Sequence, residues 1–191
     1  MSNLIKSTRG SLGSTLIHVA EELWPEPVEG HPTPGMHIWG WMGPAGLDWL
    51  GAQAAQMQSV VEVGSLRGRS AFALLTACQG PVYCIDPWPR DSDYESFMRE
   101  CGHFPNLVAI RQRSPEAAAW VPDVDMAFLD GDHEYEAVAA DIAAWLPKTR
   151  KLLCGHDYNS PEFPGVAKAV DEVFGDRLTF GVGSIWTVRV G

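Results

Sequence analysis

The chain has 191 residues, the length of one globular domain with a full core. Its formal charge of −10 excludes a sequence-independent grip on phosphate backbones, which needs clustered Lys and Arg, so nucleic acid is not an expected partner. No apolar run reaches the roughly 18 residues of a membrane span and the N-terminus lacks an apolar core of signal-peptide length, so the expectation is a soluble, cytoplasmic protein without a membrane partner. The four cysteines, Cys78, Cys84, Cys101 and Cys154, form no CxxC pair, which argues against a zinc cluster or a disulfide framework.

Residues 1–43 differ in character from the rest. Gly30 to Pro44, GHPTPGMHIWGWMGP, is loaded with Gly, Pro, His and Trp and has no clear period. Two readings stand side by side: a loop packing Trp39 and Trp41 on the core, or a lid, substrate wall or oligomer contact over a site at the edge of a sheet. Exposed aromatics near Trp39 would suit a homodimer contact.

From about Ser59, short apolar runs alternate with segments of helical period, the signature of a parallel sheet covered by helices. The expected strands are Val60–Val63, Val82–Ile85, Leu107–Ile110, Met126–Leu129 and Lys151–Gly155. Helices are expected at Ser70–Cys78, Ser92–Cys101, Pro115–Trp120 and Tyr135–Leu146, the last stopped by Pro147. Val166, Ala169, Val170, Val173 and Phe174 make another apolar helix face, ended by Gly175. Leu178–Val182 and Ser184–Val190 lie too close for a crossover helix and must pair antiparallel.

Open parallel sheets bind ligands at the carboxyl ends of their strands. There the first strand runs into VVEVGSLRGRSA, with Glu62, Gly64 and Gly68 at the turn. A dinucleotide fingerprint would want glycine at Leu66 and Arg69, so a nicotinamide or flavin cofactor is disfavoured. The looser Gly-x-x-x-Gly turn suits a nucleoside without phosphates, and Glu62 could meet a cationic or amino group. Asp86, ending the second strand in VYCIDPW, is placed to accept hydrogen bonds from both ribose hydroxyls; the competing reading is a turn-forming Asp-Pro.

Five stretches now stand in order: WGWMGPAGLDWLGAQAA, VVEVGSLRGRSAFAL, VYCIDPW, FLDGDHEYEAVAADIAAWL and GHDYNSPEFPGVAKAVDEVF, followed by SIWTVRV. The series resembles the small class I S-adenosylmethionine-dependent methyltransferases, and more narrowly the bacterial group that includes metal-dependent sugar O-methyltransferases of macrolide biosynthesis. The resemblance covers roughly Ile38 to the end, and the DGDH-to-GHDY pair is its most specific part. It implies an α/β, Rossmann-like fold: a seven-stranded, mostly parallel sheet with an antiparallel C-terminal strand, helices on both faces, and a methyltransferase domain over residues 44–191.

The resemblance also implies residue roles. Glu62, Gly64, Ser65 and Gly68 would hold the methionine part of S-adenosylmethionine, Asp86 its ribose, and Ser114 would lie beside the adenine. Two departures stand out. KTRKLLCGHD has no Pro-Gly-Gly turn before the fifth strand, and His156-Asp157 replaces the two adjacent acids of related sugar enzymes.

Methyl transfer from a sulfonium to an oxygen requires alignment and removal of the hydroxyl proton. A divalent cation can orient acceptor hydroxyls and lower their pKa. Asp130 and Asp157, at the ends of neighbouring strands, are the expected ligands, with Asp130 also beside the cofactor. His156 as a third ligand would bring manganese into consideration beside magnesium. His133 is the candidate general base, with Asp130 completing the catalytic set. The competing reading has Asp132 or His133 capping the next helix, His156 in the core and Asp157 forming an Asx turn.

The expected function is therefore a metal-assisted O-methyltransferase acting on a small-molecule hydroxyl, such as that of a sugar or glycosylated natural product. A non-catalytic cofactor- or metal-binding protein on the same scaffold is the rival, and an iron hydroxylase a third option.

Overall fold

The computed structural model describes residues 28–191. In chain order it contains α1 (Pro44–Ala54), β1 (Val60–Val63), α2 (Arg69–Ala77), β2 (Val82–Asp86), α3 (Asp91–Cys101), β3 (Leu107–Arg111) and α4 (Ser114–Ala117). Next come β4 (Val124–Leu129), α5 (Tyr135–Trp145), β5 (Thr149–Gly155), α6 (Pro164–Phe174), β6 (Thr179–Phe180) and β7 (Trp186–Arg189). The sheet order is β3-β2-β1-β4-β5-β7-β6. β1 to β5 are parallel, and β7 is antiparallel to both β5 and β6, so the last strand slots between its two predecessors.

Successive residues of the central strands serve two cores because side chains alternate across a sheet. Val60, Val82, Cys84, Met126, Phe128 and Leu152 face α1, α2 and α3, where Leu47, Leu50, Leu74 and Phe97 meet them. Val61, Val63, Ile85, Ala127, Leu129 and Leu153 face the other helices, with Ile142, Trp145, Val170 and Phe174. Both faces of β1 and β4 are therefore wholly buried, and each strand is apolar but for one buried acid, Glu62 in β1 and Asp125 in β4.

Several expected boundaries shift. α4 is one turn, Ser114–Ala117, rather than Pro115–Trp120, because Ala118 to Trp120 continue only as turns and Trp120 stands 73% exposed. α5 ends at Trp145, and Leu146–Lys148 form a 3-10 turn around Pro147. That turn replaces the missing Pro-Gly-Gly: the Thr149 hydroxyl donates to Trp145 O at 2.8 Å and starts β5 two residues earlier than expected. β6 shrinks to Thr179–Phe180.

α1 was not foreseen as a helix, although Pro44 sits at its first turn and Leu47, Leu50 and Ala54 form its buried stripe. Residues 28–43 carry no regular element, as expected. The residues that pack this segment are Met36, Ile38 and Met42, each at most 5% exposed, rather than Trp39 and Trp41. Arg69 explains the arrangement. Its buried guanidinium donates to Ile38 O at 2.5 Å and Met42 O at 3.1 Å, drawing the segment onto the start of α2. Trp39 stacks edge-on against Trp41 and lies under the Arg67 guanidinium. Among the described residues no helix is long and apolar enough to cross a membrane.

Candidate active site

The carboxyl ends of β2, β1, β4 and β5 form one rim, and the expected residues fall along it. Gly64 follows β1 with φ +90°, and Gly68 precedes α2 with φ +100°, both in the left-handed region that glycine occupies without strain. A Cβ on Gly64 would run into the backbone of Asp130 and Gly131. The turn after β1 and the end of β4 are thus in backbone contact, supported by Asp130 N donating to Val63 O at 2.9 Å.

Glu62 is fully buried beneath this turn. Its Oε2 accepts the Ser65 hydroxyl at 2.6 Å, whereas Oε1 is buried with no hydrogen-bond partner among the described residues. Burial raises its pKa to about 7, only partly offset by hydrogen bonds from serine hydroxyls. A buried acceptor without a donor at a glycine turn fits a ligand amino group.

Asp86 ends β2 with both oxygens engaged. Oδ2 accepts the Leu66 amide at 3.0 Å and Oδ1 accepts the Trp88 amide at 2.6 Å. Burial pushes its pKa up, and those two amides pull it back. Each oxygen keeps a second lone pair for a further donor. An open groove of about 340 Å³ runs beside it, lined by Leu66, Asp86, Trp88, Pro89, Arg90 and Asp93. The competing Asp-Pro turn is compatible with this placement.

Ser114 behaves otherwise than its expected neighbours. It starts α4, nine-tenths buried, and its Oγ accepts the Trp145 indole N–H at 2.8 Å. Asp141 also bonds it, and burial raises that carboxyl to about 6. The Ser114 hydroxyl is thereby tied to α5, while α4 itself lies against β2, the strand that Asp86 ends.

At the other end of the rim the register Leu129↔Gly155 sets Asp130 beside His156 and Asp157. Asp157 adopts φ +60°, a left-handed conformation that Asp tolerates, and this swings its carboxylate back towards β4. His156 Nδ1 lies 3.2 Å from Asp157 Oδ2 and 3.8 Å from Asp130 Oδ1. His133 Nε2 lies 3.1 Å from the same Asp157 oxygen and 3.7 Å from Asp130 Oδ1. Those contacts are ionic in character, because His133 Nε2 is buried without a hydrogen bond of acceptable direction.

Burial alone would lower the pKa of His133, but Asp130 and Asp157 reverse that and raise it to about 10. His156 is raised for the same reasons. Burial would raise Asp157, yet the two imidazoles hold it well below the usual carboxylate range. Asp130, His156 and Asp157 each offer a ligand atom within 4.8 Å of the others. Two carboxylate oxygens and one imidazole on one side of a half-open cleft suit a divalent cation with positions left for water and substrate.

The capping alternative is not met: the N-cap of α5 is Glu134, without a side-chain cap, Asp132 Oδ1 accepts the Glu134 amide at 3.0 Å just ahead of the helix, and His133 turns to the acid pair. Asp157 forms no side-chain Asx turn; its backbone carbonyl accepts Ser160 N. The sequence marked the loop Asn159–Phe163 for acceptor recognition but not the role of Phe163 itself, whose ring stacks on His133 with centroids 4.2 Å apart. Its signal was faint: Gly165, where a Cβ would strike His133 O and Tyr135 N, marks the close approach that brings Phe163 there.

Comparison with known proteins follows this geometry. A curated relative, the uncharacterized protein y4gI of Sinorhizobium fredii, is 29% identical over 133 residues covering 60% of this chain; the chain spans only 14% of that relative's length. The O-methyltransferase TomG from Streptomyces achromogenes, solved with S-adenosylmethionine, superposes with a TM-score of 0.61 at 16% identity, covering 79% of this chain and 82% of its own. An O-methyltransferase from Bacillus cereus solved with S-adenosylhomocysteine gives 0.63 at 14% identity, covering 95% and 92%. CalS11, a TDP-rhamnose 3'-O-methyltransferase of calicheamicin biosynthesis, gives 0.58 at 20% identity, covering 76% and 77%. These likenesses fix the fold as that of the class I methyltransferases. Residues 61–158, just over half of the chain and including the whole rim from the glycine turn to Asp157, match the methyltransferase-domain family model, and the chain belongs to that family.

Proposed function

We propose that the chain transfers the methyl group of S-adenosylmethionine to a hydroxyl of a small molecule, a sugar or glycosylated natural product, with the help of a divalent cation. The observation that carries this reading is the backbone contact between Gly64 and Asp130, which sets a nucleoside-type half-site directly beside an acid–histidine cluster on one rim. Glu62 would take the amino group of the methionine part, with Gly64, Ser65 and Gly68 giving close backbone approach. Asp86 would accept the ribose hydroxyls with its remaining lone pairs. Ser114, tied to Trp145, would flank the adenine through its position at the start of α4 rather than through its hydroxyl.

Asp130, His156 and Asp157 would hold the cation, magnesium or manganese, which when bound supplies charge to orient an acceptor hydroxyl and lower its pKa. His133 then has a definite task. In the metal-free arrangement its imidazole, raised to about 10, is protonated at neutral pH and cannot take a proton. With the charge of Asp130 and Asp157 neutralised, what raises it would be gone, and Nε2 would be free to accept the acceptor's proton. A sugar acceptor is favoured by the likeness to CalS11, whose own substrate class is TDP-rhamnose by name.

Calorimetric titration with S-adenosylhomocysteine should give saturable binding, and a well-folded protein that binds none would refute the cofactor reading. Turnover should disappear on chelation and return with magnesium or manganese. Chelator-resistant turnover would leave Asp130 and Asp157 without the ligand role.

A further inference from the structure

Two bulky residues of the nucleoside half-site are held in the left-handed region, Leu66 at φ +44° and Trp88 at φ +39°. Such a backbone is unfavourable for either residue and persists only where surrounding contacts over-determine it. Here the contacts form a closed circuit. The Leu66 amide donates to Asp86 Oδ2 at 3.0 Å, the Trp88 amide donates to Asp86 Oδ1 at 2.6 Å, and the Trp88 indole Nε1 donates back to Leu66 O at 2.6 Å. The indole is fully buried, packed on Tyr94 and Phe97, and Arg111 donates to the Trp88 carbonyl at 2.6 Å from the far side.

The consequence falls on Asp86. A carboxylate at the end of a strand has a free torsion, but one bound at each oxygen by an amide from a different loop has a fixed plane. Both amides belong to strained residues, and the indole N–H is the bond that ties those residues to each other. Loss of that bond would let Leu66 and Trp88 relax, and the plane of Asp86 would relax with them.

We propose that Trp88 is a positioning residue for nucleoside recognition, its indole N–H locking the Leu66 and Trp88 turns so that the Asp86 carboxylate faces the two vicinal hydroxyls of a ribose. The inference rests on the reading of Asp86 as the ribose acid. It goes further in assigning the orientation of that acid to the buried indole of Trp88. Preorganised acceptors bind more tightly because their ordering is complete before the ligand arrives.

The test is Trp88→Phe, which keeps the ring and removes the N–H, measured by calorimetry against S-adenosylhomocysteine and its 2′,3′-dideoxy analogue. The unaltered protein should prefer the hydroxylated compound. The variant should lose about tenfold in affinity for S-adenosylhomocysteine, the scale of a hydrogen bond to a charged group, and change little towards the dideoxy analogue. Equal losses on both compounds would make Trp88 a general structural residue, and no loss on either would also overturn the proposal. An unaltered protein that binds neither compound refutes the cofactor reading beneath it, whereas one that binds both equally refutes the role of Asp86 and this inference with it. Should the variant fail to fold, nuclear magnetic resonance of the unaltered protein gives the answer. The Leu66 and Trp88 amide and Trp88 indole resonances should shift with S-adenosylhomocysteine and hold still with the dideoxy analogue; equal shifts with both overturn the proposal.

Discussion

Glu62 and Asp157 are carboxyls on the same rim, two strands apart, and the protein drives them in opposite directions. Glu62 is raised to about 7 by burial without a cation in reach, while Asp157 is held down by two imidazoles. The β1–β2 half of the rim gets its shape from backbone turns and buried hydrogen bonds, which exist before any ligand arrives. The β4–β5 half gets its shape from opposed charges, which an added cation would rearrange. Under the proposed function, the first half would hold the cofactor in a shape finished in advance and the second would activate the acceptor through charge.

The largest effect expected from breaking this contrast is at Asp157. Asp157→Asn should cost two to four orders of magnitude in methyl transfer, the range of acid–base and metal assistance, while S-adenosylhomocysteine affinity stays within about twofold. Parallel loss of cofactor binding would show that the two halves are not separable. Gly64→Ala attacks the joint between them. A side chain at φ +90° aimed at the Asp130 backbone should destabilise the fold by about 3 kcal/mol in urea unfolding and harm both halves together.

Glu62 offers a test in the pH dependence of stability. Its folded pKa lies above the ordinary glutamate value of 4.5, at about 7, so the folded state favours the neutral form. The stabilisation is fully present below about pH 4.5 and is lost as the pH rises through about 7, a loss on the order of 3 kcal/mol. Unfolding of the cofactor-free protein across that window, compared with Glu62→Gln, should show this slope in the native sequence alone. Identical slopes would mean that the Glu62 site is wetter than the structure has it.

The smallest effect is at Phe163. Phe163→Leu should remove about 1 kcal/mol of stacking on His133 and lower turnover by several-fold, leaving the cofactor half untouched. A change in cofactor affinity instead would move Phe163 into the other half of the comparison.

The two halves also differed in how far the sequence disclosed them. The strands were legible because β1 and β4 are apolar runs interrupted only by Glu62 and Asp125, and the brevity of the link between β6 and β7 demanded antiparallel pairing. Asp130, His156 and Asp157 were legible through adjacency, since neighbouring parallel strands end side by side. The circuit through Leu66 and Trp88 was not, because a left-handed leucine or tryptophan contradicts local preference and is imposed by tertiary bonds. Ser114 shows the converse limit: its position at the start of α4 was foreseen, but not that Trp145, thirty-one residues on, would claim its hydroxyl. Helix α1 was overlooked because its stripe is short and follows a run of Gly, Pro and Trp.

The placement of β7 between β5 and β6 carries a consequence for synthesis of the chain. Among the described residues β5 pairs on its outer side only with β7, and β6 has no other neighbour, so residues 149–180 can emerge and collapse while the outer edge of β5 is still open. Residues 186–189 close that edge by sliding into a gap rather than by adding to a border. Until they do, Leu152 to Gly155 present an apolar strand with free amides and carbonyls, the usual template for pairing with another nascent chain.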